Sequence, residues 1–115
     1  NVRADLESEA YRFYKLVFNL YRLKRYGLIE NLKEAYRPEA IVLFGSYAKG
    51  EDTENSDIDL LVLSSKKHKT DLEPLEKDFN RKINLHILES IERSSAEFKN
   101  SIANGIVLHG YVKVI

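Results

Sequence analysis

The chain has 115 residues, 43% hydrophobic and 31% charged, enough for one packed core, too short for two, and too apolar to be disordered. Lys and Arg number 18, as do Asp and Glu, so no net field draws the domain to nucleic acid or an acidic membrane. The absence of cysteine excludes disulfides, zinc–thiolate sites and thiol catalysis and fits a cytoplasmic setting. No apolar run approaches the ~18 residues of a membrane span, and no signal-peptide pattern opens the chain.

Glu7 to Arg25 reads as a helix with Phe13, Leu16, Val17, Leu20 and Leu23 on one apolar stripe. A second stripe of Tyr11, Tyr14, Phe18 and Tyr21 lies beside it, making the apolar face wider than packing on one core requires. Two readings follow: a helix wedged between neighbouring elements, or a face for a second subunit or another domain. Gly27 breaks this helix, and Leu28 to Tyr36 forms another with Leu28, Ile29, Leu32 and Ala35 inward, stopped by Pro38. Ala40 to Phe44 is a short apolar run suited to a buried strand. Gly45 to Gly50 is a tight turn into a brief helical turn, Glu51 to Ser56 an acidic surface loop, and Asp57 to Leu63 a second strand.

Ser64 to Thr70, with Lys66, Lys67, His68 and Lys69, is a solvated connection. Asp71 to Lys82 has helical spacing through Leu72, Leu75 and Phe79, with Pro74 in its first turn. Ile83 to Leu88 alternates as a third strand, Ile91 to Ile102 is a final helix closed by Asn104-Gly105, and Ile106 to Ile115 is a β-prone tail. The order predicts an α/β (α+β) domain: a small mixed sheet covered by helices. The expected division is an N-terminal helical extension over residues 1–37 packed on a core over 38–115.

Phe44 to Val62, FGSYAKGEDTENSDIDLLV, carries the chemistry. A strand running into Gly45-Ser46 presents backbone N–H groups to an anion, the Ser46 hydroxyl adds a donor, and Lys49 adds a positive charge. Asp57 and Asp59, two apart on a strand, share a face about 6–7 Å apart along the chain. Two such carboxylates repel and favour a cation, and hard oxygens suit Mg²⁺. Taken alone, the pair reads first as solvated charge at a strand entrance, because short motifs recur by chance. Two better-known sites fail. Gly45 to Gly50 has P-loop glycine spacing, but Glu51 and Asp52 stand where Lys and Ser or Thr belong. Asp52 to Ser56 starts like a calcium loop, but Asp57 occupies its glycine position and Leu63 its closing glutamate.

Gly-Ser, then about ten residues, then Asp-x-Asp in Ser-Asp-Ile-Asp-Leu, resembles the nucleotidyltransferases of the DNA polymerase β-like superfamily. The compact form is most similar to their minimal nucleotidyltransferase branch. The resemblance is specific over Ile41 to Val62 and looser through Gly110. It implies that Gly45 and Ser46 hold the triphosphate of ATP or another nucleoside triphosphate, while Asp57 and Asp59 bind Mg²⁺ or Mn²⁺. A hydroxyl acceptor then attacks the α-phosphate, and pyrophosphate leaves. It further implies a protein partner such as a small helical toxin. Asn1 to Tyr14 resembles the segment that follows a winged-helix domain in a subset of the family, so nucleic-acid binding is expected only through such an upstream module. Homo-oligomers are expected from the tyrosine-rich first helix.

One position departs from the family's pattern. The third carboxylate belongs on the next core strand, where Asn84 stands, with His86 beyond it on the same face. An amide oxygen can ligate a metal but is no general base and compensates no charge. His86 is a substitute base or a packed strand residue; His68 and His109 cluster with nothing. One metal arriving with the nucleotide is expected to bind well and a second poorly. The readings left open are an active transferase and a degenerate antitoxin or regulator that binds nucleotide or protein. A third makes the domain the sensing or dimerising part of a DNA-binding regulator.

Overall fold

A computed structural model describes residues 1–113. The Asn1 side chain accepts the Ala4 N–H at 2.9 Å, so helix α1 spans Val2–Arg25 and starts five residues before the predicted Glu7. Gly27 takes a positive φ of 73° and opens α2, Leu28–Tyr36, which buries Leu28, Leu32 and Tyr36. Strand β1, Ala40–Phe44, is buried throughout. A single 3-10 turn, Ser46–Lys49, follows, then β2, Ile58–Leu63. Helix α3, Glu73–Phe79, has Pro74 in its first turn and makes the crossover to β3, Ile83–Leu88, which lies parallel to β2. Helix α4, Ala96–Ala103, leads to β4, Ile106–Gly110.

The sheet order is β3-β2-β1-β4, antiparallel except for the β2–β3 pair, which is the mixed sheet expected. Alternation divides the strands between two layers. Ile41, Leu43, Ile58, Leu60 and Val62 pack with Leu23, Leu28, Leu32, Tyr36 and Phe79 from α1, α2 and α3. On the other face Ala40, Val42, Phe44, Leu61 and Leu63 pack with Ile91, Ile102 and half-buried Phe98. This second face is covered by α4 and by Ile91 and Val112 from the segments beside it. Asp59 shares it, because the pleat puts residues two apart on the same side.

Several boundaries differ from the sequence reading. The last helix starts at Ala96, not Ile91, because the Ser95 hydroxyl caps it by accepting the Phe98 N–H at 3.1 Å. The third helix is shorter than Asp71 to Lys82 because Asn80 turns left-handed at φ 53°. The tail is strand only to Gly110, and its last two residues lie outside the described ones. The largest correction concerns α1. Only Leu23 of its predicted inward stripe is fully buried, while Leu16 and Leu20 are half-buried and Phe13 and Val17 are exposed. The helix turns Lys15 and Asn19 inward instead, toward a buried acid described below.

Candidate functional site

Asp57 directly precedes β2 and Asp59 is its second residue; both are half-buried. In the parallel β2–β3 register Asp59 lies level with Asn84. The Asn84 amide donates from Nδ2 to Asp57 Oδ2 and to Asp59 Oδ1, each at 3.0 Å. One amide group therefore holds two carboxylates together, in charge-assisted bonds that offset their repulsion. Among the described residues no cluster of three or more acid or imidazole ligands forms. The donor set is two carboxylates and an amide.

The turn after β1 is built around these acids. Phe44 pairs with Asp59 across the β1–β2 ladder, so Gly45 follows at the same sheet end. Gly45 has φ 78°, and a Cβ there would stand 2.6 Å from Asp59 Oδ2. Glycine is thus required both by the backbone and by the carboxylate beside it. Ser46 is half-buried and opens the 3-10 turn; Lys49 ends it, exposed and without an acidic partner among the described residues. Gly50 closes the turn at φ 67°, where a Cβ would collide with the Arg12 carbonyl of α1. The structure therefore brings Gly45, Ser46, Asp57, Asp59 and Asn84 to one end of the sheet, with Lys49 at the outer end of the turn.

His86 lies on the same side, exposed, with its ring 5.4 Å from Phe44 and 5.5 Å from Phe98. It packs against an aromatic pair and still reaches solvent. His68 stacks on Tyr36 at 5.0 Å, away from this end. A cleft of about 630 Å³, lined by Glu39, Leu63, Glu89 and Lys113 among others, opens at the opposite end of the sheet. It shares no residue with the constellation.

The sequence reading missed the support beneath the site. Asp52, expected on a surface loop, is 1% exposed. Its carboxylate accepts from Asn19 Nδ2 at 2.8 Å and Arg81 Nη2 at 2.7 Å, with Lys15 Nζ at 3.7 Å. Lys15 also donates to the Asp52 carbonyl. Arg81 Nη1 donates to the carbonyls of Thr53 at 2.6 Å and Ser56 at 2.8 Å. The segment leading into Asp57 is thus fastened from α1 and from Arg81 in the turn between α3 and β3. Next to it Tyr47 is fully buried beneath the Arg81 guanidinium, 5.2 Å from its ring centre, and its hydroxyl has no hydrogen-bond partner among the described residues. Burial pushes the phenol up from 10.0 to about 12, while the charges of Arg22 and Arg81 pull the other way.

A mixed four-stranded sheet with a Gly-Ser turn and an Asp-x-Asp pair on neighbouring strand ends defines a nucleotidyltransferase-type domain. The comparison with known families agrees: the nucleotidyltransferase domain matches residues 25–109, and the chain belongs to that family. Three Methanocaldococcus jannaschii proteins, each bearing the name "putative protein adenylyltransferase", match short segments. One is 61% identical over 31 residues, 27% of this chain and 31% of that protein. The others are 54% identical over 33 residues, 29% and 34% of the two chains, and 61% over 31 residues, 27% and 32%. The matched segments span about a third of those relatives' length. A crystal structure described as a toxin–antitoxin with AMP-PNP has a similar fold, with TM-score 0.55 and 24% identity over 75% of this chain and 73% of that one. Among the described residues no helix is long and apolar enough to cross a membrane.

Proposed function

We propose that the domain moves a nucleoside monophosphate from a nucleoside triphosphate, ATP first among them, to a hydroxyl on a partner protein. The observation that carries this reading is the meeting of the Gly45-Ser46 turn with Asp57 and Asp59 at one sheet end. In the proposed roles Gly45 and Ser46 receive the triphosphate and Lys49 adds positive charge. Asp57 and Asp59 hold a divalent cation, Mg²⁺ or Mn²⁺, beside the phosphates. Hard carboxylate oxygens fit such an ion, which keeps waters and accepts phosphate oxygens as further ligands. With Asn84 in place of a third acid, the donor set fits one cation better than two. Bound there, the cation would supply charge neutralisation to the phosphates.

The acceptor oxygen bonds to the α-phosphorus as the bond from phosphorus to the pyrophosphate oxygen breaks, and His86 takes the hydroxyl proton. The names of the relatives support adenylyl transfer to protein, and the AMP-PNP in the similar toxin–antitoxin structure supports an adenine nucleotide.

A second reading has its own observation. The Asn84 amide bonds both carboxylates, as a catalytically degenerate antitoxin or regulator that acts by contact would. Calorimetric titration of ATP and the other nucleoside triphosphates, with and without Mg²⁺ and in Asp57→Asn, separates the two. Binding that requires Mg²⁺ and vanishes in the variant supports the transferase site, and transfer of labelled nucleotide to protein then identifies the acceptor. No binding to any triphosphate rejects the enzyme reading.

A further inference from the structure

Asn19 lies within helix α1 and is 3% exposed. A buried amide needs hydrogen-bond partners, and Asn19 stands one turn from Lys15 and one from Leu23, on the side of the helix that meets the domain. Its Nδ2 group donates twice, to the Tyr47 carbonyl at 3.1 Å and to Asp52 Oδ1 at 2.8 Å. These two acceptors belong to different parts of the site. Tyr47 follows Gly45-Ser46 in the 3-10 turn, whereas Asp52 begins the segment that runs into Asp57.

Asp52 passes the constraint on. Its Oδ2 accepts from Arg81 Nη2 at 2.7 Å, and the same guanidinium holds the carbonyls of Thr53 at 2.6 Å and Ser56 at 2.8 Å. Ser56 immediately precedes Asp57. The side chains of Thr53, Glu54 and Asn55 are exposed, so core packing does not place this stretch and the polar ties do. Between the two anchored segments Gly50 lies against α1, where a Cβ would stand 2.2 Å from the Arg12 carbonyl oxygen. The family match begins at residue 25, so Asn19 lies upstream of it.

We infer that Asn19 is a positioning residue that fixes the phosphate turn relative to the strand bearing Asp57 and Asp59, which makes α1 a working part of the nucleotide site. It acts through the Tyr47 carbonyl on one side and through Asp52 and Arg81 on the other. The inference deepens the transferase reading above and rests on it for the ligand, ATP with Mg²⁺. A triphosphate on Gly45-Ser46 and a cation on the two aspartates share phosphate oxygens only at the right spacing. Small misplacements in such a site cost large factors.

The test applies two measurements to the whole chain, to Asn19→Ala and to Asn19→Ser: calorimetric titration of ATP with Mg²⁺, and the ¹⁵N NMR spectrum without nucleotide. Serine has one hydroxyl proton, which can serve the turn or the loop but not both, and it keeps a variant in hand if the alanine protein fails to fold. The expected result is a folded core with the Asp57 backbone and Asn84 side-chain amide signals displaced, and affinity for ATP with Mg²⁺ lowered about tenfold or more. A lower urea midpoint with those signals and that affinity unchanged shows a purely structural Asn19 and overturns the inference. A wild type that binds no triphosphate, beside variants that still displace the Asn84 signal, removes the transferase reading and keeps the positioning role. The wild type alone decides if neither variant folds. Its Asn19 side-chain protons should exchange with solvent far more slowly than those of exposed Asn31 and Asn55, and equal rates overturn the inference.

Discussion

Replacing Asn84 by aspartate should make the domain depend on a divalent cation for its stability. The Asn84 Nδ2 now donates to Asp57 and Asp59 at 3.0 Å each, and hydrogen bonds to charged groups contribute ~1.5–3 kcal/mol apiece. An aspartate loses both bonds and sets a third negative charge beside the first two. At ~4 Å and an effective dielectric near 20, each new pair costs ~4 kcal/mol, and the solvent-open position removes about half of that. The terms sum to an upper bound of about 7–10 kcal/mol, which rotation of the half-exposed side chains toward solvent reduces. The expected result without metal at pH 8 is a clearly lower urea midpoint. A cation shared by three carboxylates should restore ~3 kcal/mol once it exceeds its dissociation constant about a hundredfold. The wild type should gain much less. If Asn84→Asp is as stable as the wild type without metal, or if Mg²⁺ moves both midpoints equally, Asn84 does not hold the two aspartates together and the reasoning fails.

Two further changes probe the support. Asp52→Ala removes the acid shared by Lys15, Asn19 and Arg81 and should cost about 3–5 kcal/mol, because it strands buried charge; a urea midpoint shift below ~1 kcal/mol would show that the network does not hold the loop. Tyr47→Phe deletes a buried hydroxyl with no partner while keeping the ring under Arg81, so stability at pH 7 should hold or rise by about 1 kcal/mol. The two proteins should part at alkaline pH. The Tyr47 phenol holds its proton more tightly folded, near 12, than its ordinary 10.0, so its contribution is intact below pH 10 and fades toward pH 12. Unfolding measured from pH 8 to 11.5 should show a fall in the wild type that the phenylalanine variant lacks, and parallel curves would contradict the assignment.

How much of this was visible in the sequence depended on distance along the chain. Gly45-Ser46 and Asp57-Ile58-Asp59 sit within fifteen residues, and a period of two sufficed to place Asn84 on the side of the acids. The amide's bonds to both carboxylates were invisible, because they depend on the β2–β3 register, a long-range pairing. Asp52 was missed for a different reason: within Glu51-Asp52-Thr53-Glu54 it looks like any solvated charge. The signal lay elsewhere, in Lys15 and Asn19, two polar residues four apart on α1. A polar pair turned toward a core requires a buried partner, and the reading followed the broader aromatic stripe instead. The start of α4 was ambiguous because Ser90, Ser94 and Ser95 are all acceptable caps.

The amide at position 84 also bears on which reading of the function holds. An acid there would leave the empty site with three repelling charges, so that the metal would be needed to assemble it. With Asn84 an amide bonds both aspartates instead. A cation that enlists the Asp57 Oδ2 or Asp59 Oδ1 lone pairs must compete with bonds worth ~1.5–3 kcal/mol each. Such a site should bind metal weakly alone and tightly only with the nucleotide's phosphates to complete the ligand set. The transferase reading therefore predicts strong coupling between Mg²⁺ and nucleotide affinity. A domain that acts only by contact predicts none, because its carboxylates are already satisfied.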